Sequence, residues 1–417
     1  MDHYQFIVVN FSLYDEKWVG SNRWREMLDY LRLWASVVTV SHDVANPPPA
    51  GIDACCVPHA LRAKNGTRGF WEEPTSRGLS GSLRQLLKNF LCIPDAQIYW
   101  SHRAVRSALS RVKQGYRSIL ITSSPVHSLH LAAARMVPRG AKNIKWIMDL
   151  RDPWTTAPAA IWRHRWPPIL HQWERRMEAR CHNAADVTTV VSKTMGRDIL
   201  AEFGSSATVV YNGYSHTVQA PDALVFRSKP VTIRYLGKII PGLRDPSLLF
   251  RAARRRGMSV RELKFRFWCS NSEWVKRIAE QEGVLDLVEF NDAITRKAAL
   301  ETEASPGVNL VLNGIDAMFD YILTSKVFEL IGIGRPVVAI TGESSELRGV
   351  LEQCGCNGIV FNDASAGEVL DRIVSGQLNG VEDARRNFHR ETAARAVMAL
   401  ADDLYFRSCA GFNRREH

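Results

Sequence analysis

The chain contains no apolar run of about 18 residues, the length a membrane-crossing helix needs, so no such helix is expected. It has no C-x-x-C pair: its eight Cys include Cys55-Cys56 and Cys354-Gly355-Cys356, neither spaced as a zinc site. Eight Cys in 417 residues are also too sparse for a disulfide framework, so reduced thiols are expected. Met1–Asn10 lacks a basic start followed by an apolar core, which speaks against a secretory signal and for a cytoplasmic protein. A zinc finger, an RNA-recognition motif and a long Lys/Arg tail are all missing, which sets nucleic acid aside as a partner. His127 and His130 stand three apart without a third ligand in view, so no metal site is assigned. Repeats and low-complexity tracts are likewise lacking.

Acidic residues are in deficit. Lys and Arg number 54 against 43 Asp and Glu, a formal charge of +11, which calls for a partner of opposite sign: a phosphorylated substrate or anionic lipid headgroups. From Arg62 to Arg117 there are eleven Lys/Arg against three Asp/Glu, interleaved with Phe70, Trp71, Phe90, Tyr99 and Trp100. Trp162–Arg180 repeats the mixture with Trp162, Trp166 and Trp173 among Arg163, Arg165, Arg175 and Arg176. Both stretches suit the headgroup layer of a membrane, and both suit helices that lay Arg stems over a packed core.

A chain of 417 residues exceeds one compact core and fits two domains. Short apolar runs alternate with helical patterns through both halves, which predicts an α/β fold with two parallel sheets. Gln5–Asn10 reads as a first buried strand, followed by a loop through Gly20 and a helix from Trp24 to Trp34 with Asn22 as its N-cap. Val37–Ser41, Ser118–Ser123 and Lys145–Met148 read as further strands, and Ser128–Met136 as a helix. Leu61–Tyr116 reads as less regular. Hydroxyls and His127 follow the strand at Ser118–Ser123, where ligands bind in open α/β sheets. Asp149-Leu150-Arg151-Asp152-Pro153-Trp154 crowds two carboxylates and an Arg at a strand end, either as a ligand wall or as a structural ion cluster. In the second half, Val231–Ile239 opens a new sheet and is followed by a loop with Gly237, Lys238 and Arg244. Two cations beside a Gly turn can neutralise a departing diphosphate.

The run Ser325 to Ile340, SKVFELIGIGRPVVAI, predicts an apolar helix ended by Gly332 and Gly334, then a strand buried on both faces. Lys326 and Glu329 share one face near its start, where phosphate is favoured. An ordinary amphipathic helix with a surface Lys and Glu would carry the same spacing.

This run resembles the donor-binding segment of family 4 glycosyltransferases, K-x-x-E-x-x-x-x-G-x-P-V. The phrases KWIMDLRDPW (Lys145–Trp154), ADVTTVVSKTM (Ala185–Met195), TVVYNGY (Thr208–Tyr214), IPDAQIYW (Ile93–Trp100) and VEFNDAITRKAALE resemble the same family in the same order. The resemblance implies a GT-B fold: two Rossmann-like domains facing a central cleft, residues 1–217 on the acceptor side with a returning helix over 385–417, and residues 218–384 binding a nucleotide-sugar. It gives Glu329 the nucleotide ribose and Ser325–Lys326 the phosphate end. It gives Lys238 and Arg244 the leaving diphosphate. Gly20 and Arg23 fall beside donor phosphate and acceptor, and Asn291 beside the nucleobase with Gly237 near the donor. Asp149, Arg151, Asp152 and His127 fall on the wall facing sugar and acceptor. Relatives often carry a second Glu eight positions before the first; this chain has Tyr321 there.

The resemblance therefore implies a glycosyltransferase of hexosyl type. It would move a sugar from a nucleotide-sugar, foremost a UDP-sugar, to a phosphorylated or lipid-linked acceptor. Retention of configuration and no cofactor or metal are implied, at the cytoplasmic face of the inner membrane. Two alternatives stand beside it: a GT-B enzyme for a soluble natural-product acceptor, and a non-catalytic GT-B-like protein in a glycan assembly complex.

Overall fold

The computed structural model describes residues 3–15, 21–43, 49–59, 93–156, 168–215, 229–269, 271–381 and 385–410. It divides into two units, Met1–Val210 with Ala394–His417, and Tyr211–Ala393. The divide lies ahead of residue 217 because Tyr211–Tyr214 already belongs to the second core. Tyr214 packs there beside Val327 and Phe328, its N–H donates to Phe388 O (3.1 Å), and Arg390 N–H donates back to Tyr214 O (2.9 Å).

The first unit runs β1 (Tyr4–Val9), α1 (Asn22–Trp34), β2 (Ser36–Ser41), β3 (Ile52–Cys56), α2 (Ile98–Leu109), β4 (Arg117–Ser123), α3 (Ser128–Met136), β5 (Ile144–Leu150), α4 (Pro168–Ala184), β6 (Val187–Val190), α5 (Lys193–Phe203) and β7 (Ala207–Val209). Its sheet has the order β3-β2-β1-β4-β5-β6-β7, every described pair parallel. The central strands are buried at nearly every position because helices cover both faces, and this makes them read as continuous apolar runs. The edge strand β3 is half-exposed, so Ile52–Cys56 shows no such run and its strand character was not evident from sequence. The expected irregular stretch contains α2, which buries Trp100, Ala104, Val105 and Ala108. Asn22 is not the cap of α1 but its first residue: Ser21 precedes it, and Asn22 Oδ1 accepts from Arg25 (2.7 Å).

The second unit runs β8 (Val231–Leu236), α6 (Ser247–Arg255), β9 (Leu263–Trp268), α7 (Ser272–Gln281), β10 (Val288–Asn291), α8 (Arg296–Ala304), β11 (Val308–Leu312), α9 (Ser325–Ile333), β12 (Val337–Ile340), α10 (Glu346–Gln353), β13 (Ile359–Val360) and α11 (Asp363–Ser375). Its parallel sheet has the order β10-β9-β8-β11-β12-β13. The helix α12 (Arg390–Ala410) follows. From Ala394 onward the chain packs with the first sheet: Tyr405 donates to Ser118 O (2.8 Å) and Tyr4 to Asp402 (2.5 Å). Strand order reverses between β1 and β4 in one sheet and between β8 and β11 in the other. Ligands of doubly wound sheets bind beyond the carboxyl ends of such strands.

Candidate functional site

In the first unit, β5 continues through Leu150, so Asp149 lies inside the strand and not beyond its end. Its carboxylate is fully buried and accepts from Trp24 Nε1 (2.8 Å), Ser123 Oγ (2.8 Å), Thr189 Oγ1 (2.9 Å) and Arg23 (3.2 Å). Burial pushes its pKa up, but the Arg23 guanidinium with the Ser123, Trp24 and Thr189 bonds outweighs burial and holds it below the ordinary Asp value. Arg23 is 2% exposed in this pair, so it braces α1 against β5 and does not reach out to a donor phosphate. Asp149 likewise positions its neighbours and presents no carboxylate oxygen to a sugar. Gly20 lies outside the described residues.

Past β5 the wall is more open. Arg151 and Asp152 are half-buried, and the Arg151 N–H donates to Ser124 Oγ (2.8 Å). His127, half-buried at the start of α3, stacks on Trp154 with ring centroids 4.7 Å apart and planes at 2°. His130 is fully enclosed beneath them, with Nδ1 2.8 Å from Thr122 Oγ1. Burial, with neighbouring His127 acting in the same direction, drives the His130 pKa well below the usual imidazole value. Glu178 on α4 accepts from the Thr155 N–H (2.8 Å) and hydroxyl, which fixes the loop carrying Arg151, Asp152 and Trp154.

In the second unit, the β8 exit carries Gly237 and Lys238, both exposed. Lys238 O accepts from Tyr235 Oη (2.9 Å) and from the Arg244 guanidinium (2.6 Å). Arg244 therefore closes the loop on itself and Lys238 extends from it. Asn291 ends β10, and its Nδ2 is buried with no hydrogen-bond partner among the described residues.

The helix α9 forms over Ser325–Ile333, with no side-chain cap at Thr324. Gly334 ends it in the left-handed conformation at φ +77°, while Gly332 is helical and not a terminator. A Cβ at Gly332 would lie 2.6 Å from the Tyr214 ring, so close packing explains this glycine. Lys326 and Glu329 do share a face, and both meet α8. Glu329 pairs with Arg296 (2.8 Å), and Lys326 pairs with the buried Glu303. Burial raises the Glu303 pKa and Lys326 pulls it back. The Lys326 ammonium is thus committed to a carboxylate. What Ser325 and its neighbours offer a phosphate is the uncapped start of α9 and its dipole. Arg296 and Glu303 were not found from sequence, because a pairing across two helices leaves no local spacing signal.

Residues 73–218 match the family model described as Glycosyltransferase Family 4. A search of curated protein sequences finds no match. Among solved structures, sucrose-phosphate synthase from Thermosynechococcus elongatus is similar with a TM-score of 0.61 at 12% identity, over 97% of this chain and 100% of that one. A UDP-forming α,α-trehalose-phosphate synthase from Burkholderia vietnamiensis gives 0.57 at 12%, over 98% and 100%. The lipopolysaccharide outer core galactosyltransferase WaaB gives 0.50 at 14%, over 98% of each chain. Likeness at such identity establishes the fold, which is GT-B.

Proposed function

We infer that this chain, a GT-B glycosyltransferase resembling family 4, moves a sugar from a UDP-sugar to a phosphorylated or lipid-linked acceptor with retention of configuration. The observation that carries this reading is α9: an uncapped helix start with Glu329 one turn in, on a doubly wound sheet. Glu329 would take the ribose hydroxyls, exchanging one oxygen from Arg296. The helix start and Lys238 would stabilise the leaving diphosphate, with Arg244 bracing the Lys238 loop. Departing phosphate can itself take the acceptor proton, so no protein base is required. His127, Arg151 and Asp152 would orient acceptor hydroxyls, on the wall that Asp149 and Glu178 hold. No metal takes part in this scheme, so a chelator is expected to leave the rate unchanged.

Acceptor class is supported from two sides. Among the similar structures are synthases of phosphorylated disaccharides and a transferase of lipopolysaccharide core. On α4, Ile169 is 75% and Trp173 42% exposed beside exposed Arg175, Arg176 and Arg180, and on α2 Tyr99 is 83% exposed. Apolar side chains ringed by Arg suit an anionic membrane surface. The remainder of both basic aromatic stretches, through residue 92 and from Trp162 to Pro167, lies outside the described residues. No helix among the described residues is long and apolar enough to cross a membrane.

The test is a thermal-shift panel of UDP, GDP, ADP, dTDP, CMP and their sugars, since a ligand of the native state raises the melting temperature. UDP and a UDP-sugar are expected to raise it, and Glu329→Ala to abolish the rise. No shift with any member would remove the donor-site assignment. Tyr321 and the committed Lys326 favour the non-catalytic alternative, which predicts nucleotide binding without turnover over the same acceptors.

A further inference from the structure

Strands β8 and β9 each have one polar face. Val231, Ile233 and Tyr235, with Leu263, Phe265 and Phe267, belong to the core, while Thr232, Arg234, Lys264, Arg266 and Trp268 alternate with them on the other side. A parallel strand covered on both faces is apolar throughout, as β12 is. Helix α8 covers the polar face only in part. A cavity of about 450 Å³ remains, with Thr232, Arg234, Arg266, Trp268, Glu301 and Ser305 in its lining, a size that holds a small ligand. Thr232 is the second residue of β8 and Ser305 precedes β11, so the cavity lies toward the amino ends of these strands, with Trp268 as its upper limit. Lys238 and the start of α9 are at the carboxyl ends.

The Arg266 guanidinium lies over the Trp268 ring, 5.1 Å from its centroid, and pairs through Nε with Glu289 (2.9 Å), whose other oxygen holds Lys264 (2.6 Å). Stacking occupies the face of a guanidinium and Glu289 its Nε edge, so the Nη fork is left to the cavity that Arg266 lines. Behind it, Arg234 is 2% exposed. It closes the end of α8, donating to Thr302 O, Pro306 O, Ser305 O (3.0 Å) and Ser305 Oγ (2.6 Å). All of these acceptors are neutral, so its charge is not cancelled by them. Burial, then the charge of Arg335 and, more weakly, that of Arg266, bring its pKa down to about 10 against the pull of Glu303. The lining thus carries two guanidiniums against the one carboxylate of Glu301, a single positive charge in excess. One carboxylate on a ligand neutralises that excess, and a guanidinium fork matches it with two parallel bonds. A phosphate dianion overshoots it. Glu301 can accept from hydroxyls, and Thr232 can donate to or accept from them, beside the indole of Trp268.

We propose that this cavity is a second sugar site, for a uronic acid residue whose carboxylate the Arg266 fork holds and whose hydroxyls meet Glu301 and Thr232. It is separate from the donor position and does not depend on it. Saturation-transfer NMR on the full-length protein titrates glucuronate and galacturonate, with glucose, glucose 6-phosphate and inorganic phosphate beside them. At least one uronate is expected to bind saturably and about tenfold or more tighter than glucose. Arg266→Gln is expected to weaken it about tenfold or more, the size of a lost charge-assisted pair, and to leave the response of the melting temperature to UDP unchanged. Thr232→Asp, which cancels the excess charge from another element, is expected to weaken the uronate likewise. Arg255→Gln, an exposed arginine outside the cavity that pairs with Asp363, leaves the affinity as it was. Absence of saturable uronate binding would overturn the proposal, as would equal affinity in Arg266→Gln. Displacement of the uronate by UDP would place it in the donor position and overturn the proposal as well. Tighter binding of glucose 6-phosphate or of inorganic phosphate would make the cavity a phosphate site instead, and so would also refute it.

Discussion

Asp149 shows how a residue that reads as chemistry can turn out to be architecture. Its crowded phrase is visible in the sequence, but its partner Arg23 lies 126 positions earlier, and no spacing rule joins them. Asp149→Ala strips a buried guanidinium of its counter-charge, which costs about 3–5 kcal/mol in such settings; urea denaturation should show a loss of that order. The pH dependence follows the same pairing. The folded pKa lies below the unfolded one, so the stabilisation is fully present above about pH 4 and is lost as pH falls through the folded value. Acid titration of stability is expected to be steeper below about pH 4 in wild type than in Asp149→Asn. Arg23 and Lys326 carry the same lesson: a cation in a ligand-like phrase is available only if no buried acid has claimed it.

At the scale of elements, legibility followed burial. Strands covered on both faces announced themselves as apolar runs, and the S-K entry into α5 was readable because Ser192 accepts from the Met195 N–H, as a local cap must. What failed was either half-exposed, as in β3, or dependent on a second element, as in the two ion pairs between α8 and α9. Gly332 belongs to the second kind: local rules assign it to a helix end, and only the Tyr214 ring shows why it must be small. Gly332→Ala is expected to lower stability by about 1–3 kcal/mol through overpacking, read as a fall in melting temperature. Gly334→Ala acts differently, chiefly by straining a left-handed residue, and should cost about 1 kcal/mol, its Cβ meeting the Arg385 guanidinium and not the Tyr214 ring directly. A Tyr214→Ala background, which removes the ring but keeps a Cβ 2.8 Å from the added methyl, is expected to relieve part of the first cost and none of the left-handed strain of the second.

For the molecule as a whole, the +11 charge makes association with anionic surfaces a matter of salt. Binding to vesicles containing phosphatidylglycerol is expected at low ionic strength and to weaken about tenfold or more towards 0.5 M NaCl, with Trp173→Glu weakening it further. No binding to such vesicles even at low ionic strength would turn attention to a soluble acceptor. The short bridge between Tyr214 and His389 has a different consequence. Every described member of the two hydrophobic clusters of the second unit falls within Tyr211–Ala393, and that bridge ties the point where the segment begins to the point where it stops. The segment is thus a cassette with adjoining ends, cut from one continuous stretch of gene. Expressed by itself it is expected to unfold in a single cooperative step, and spliced into a surface loop of an unrelated carrier it should leave the carrier intact, so that the second unit becomes portable.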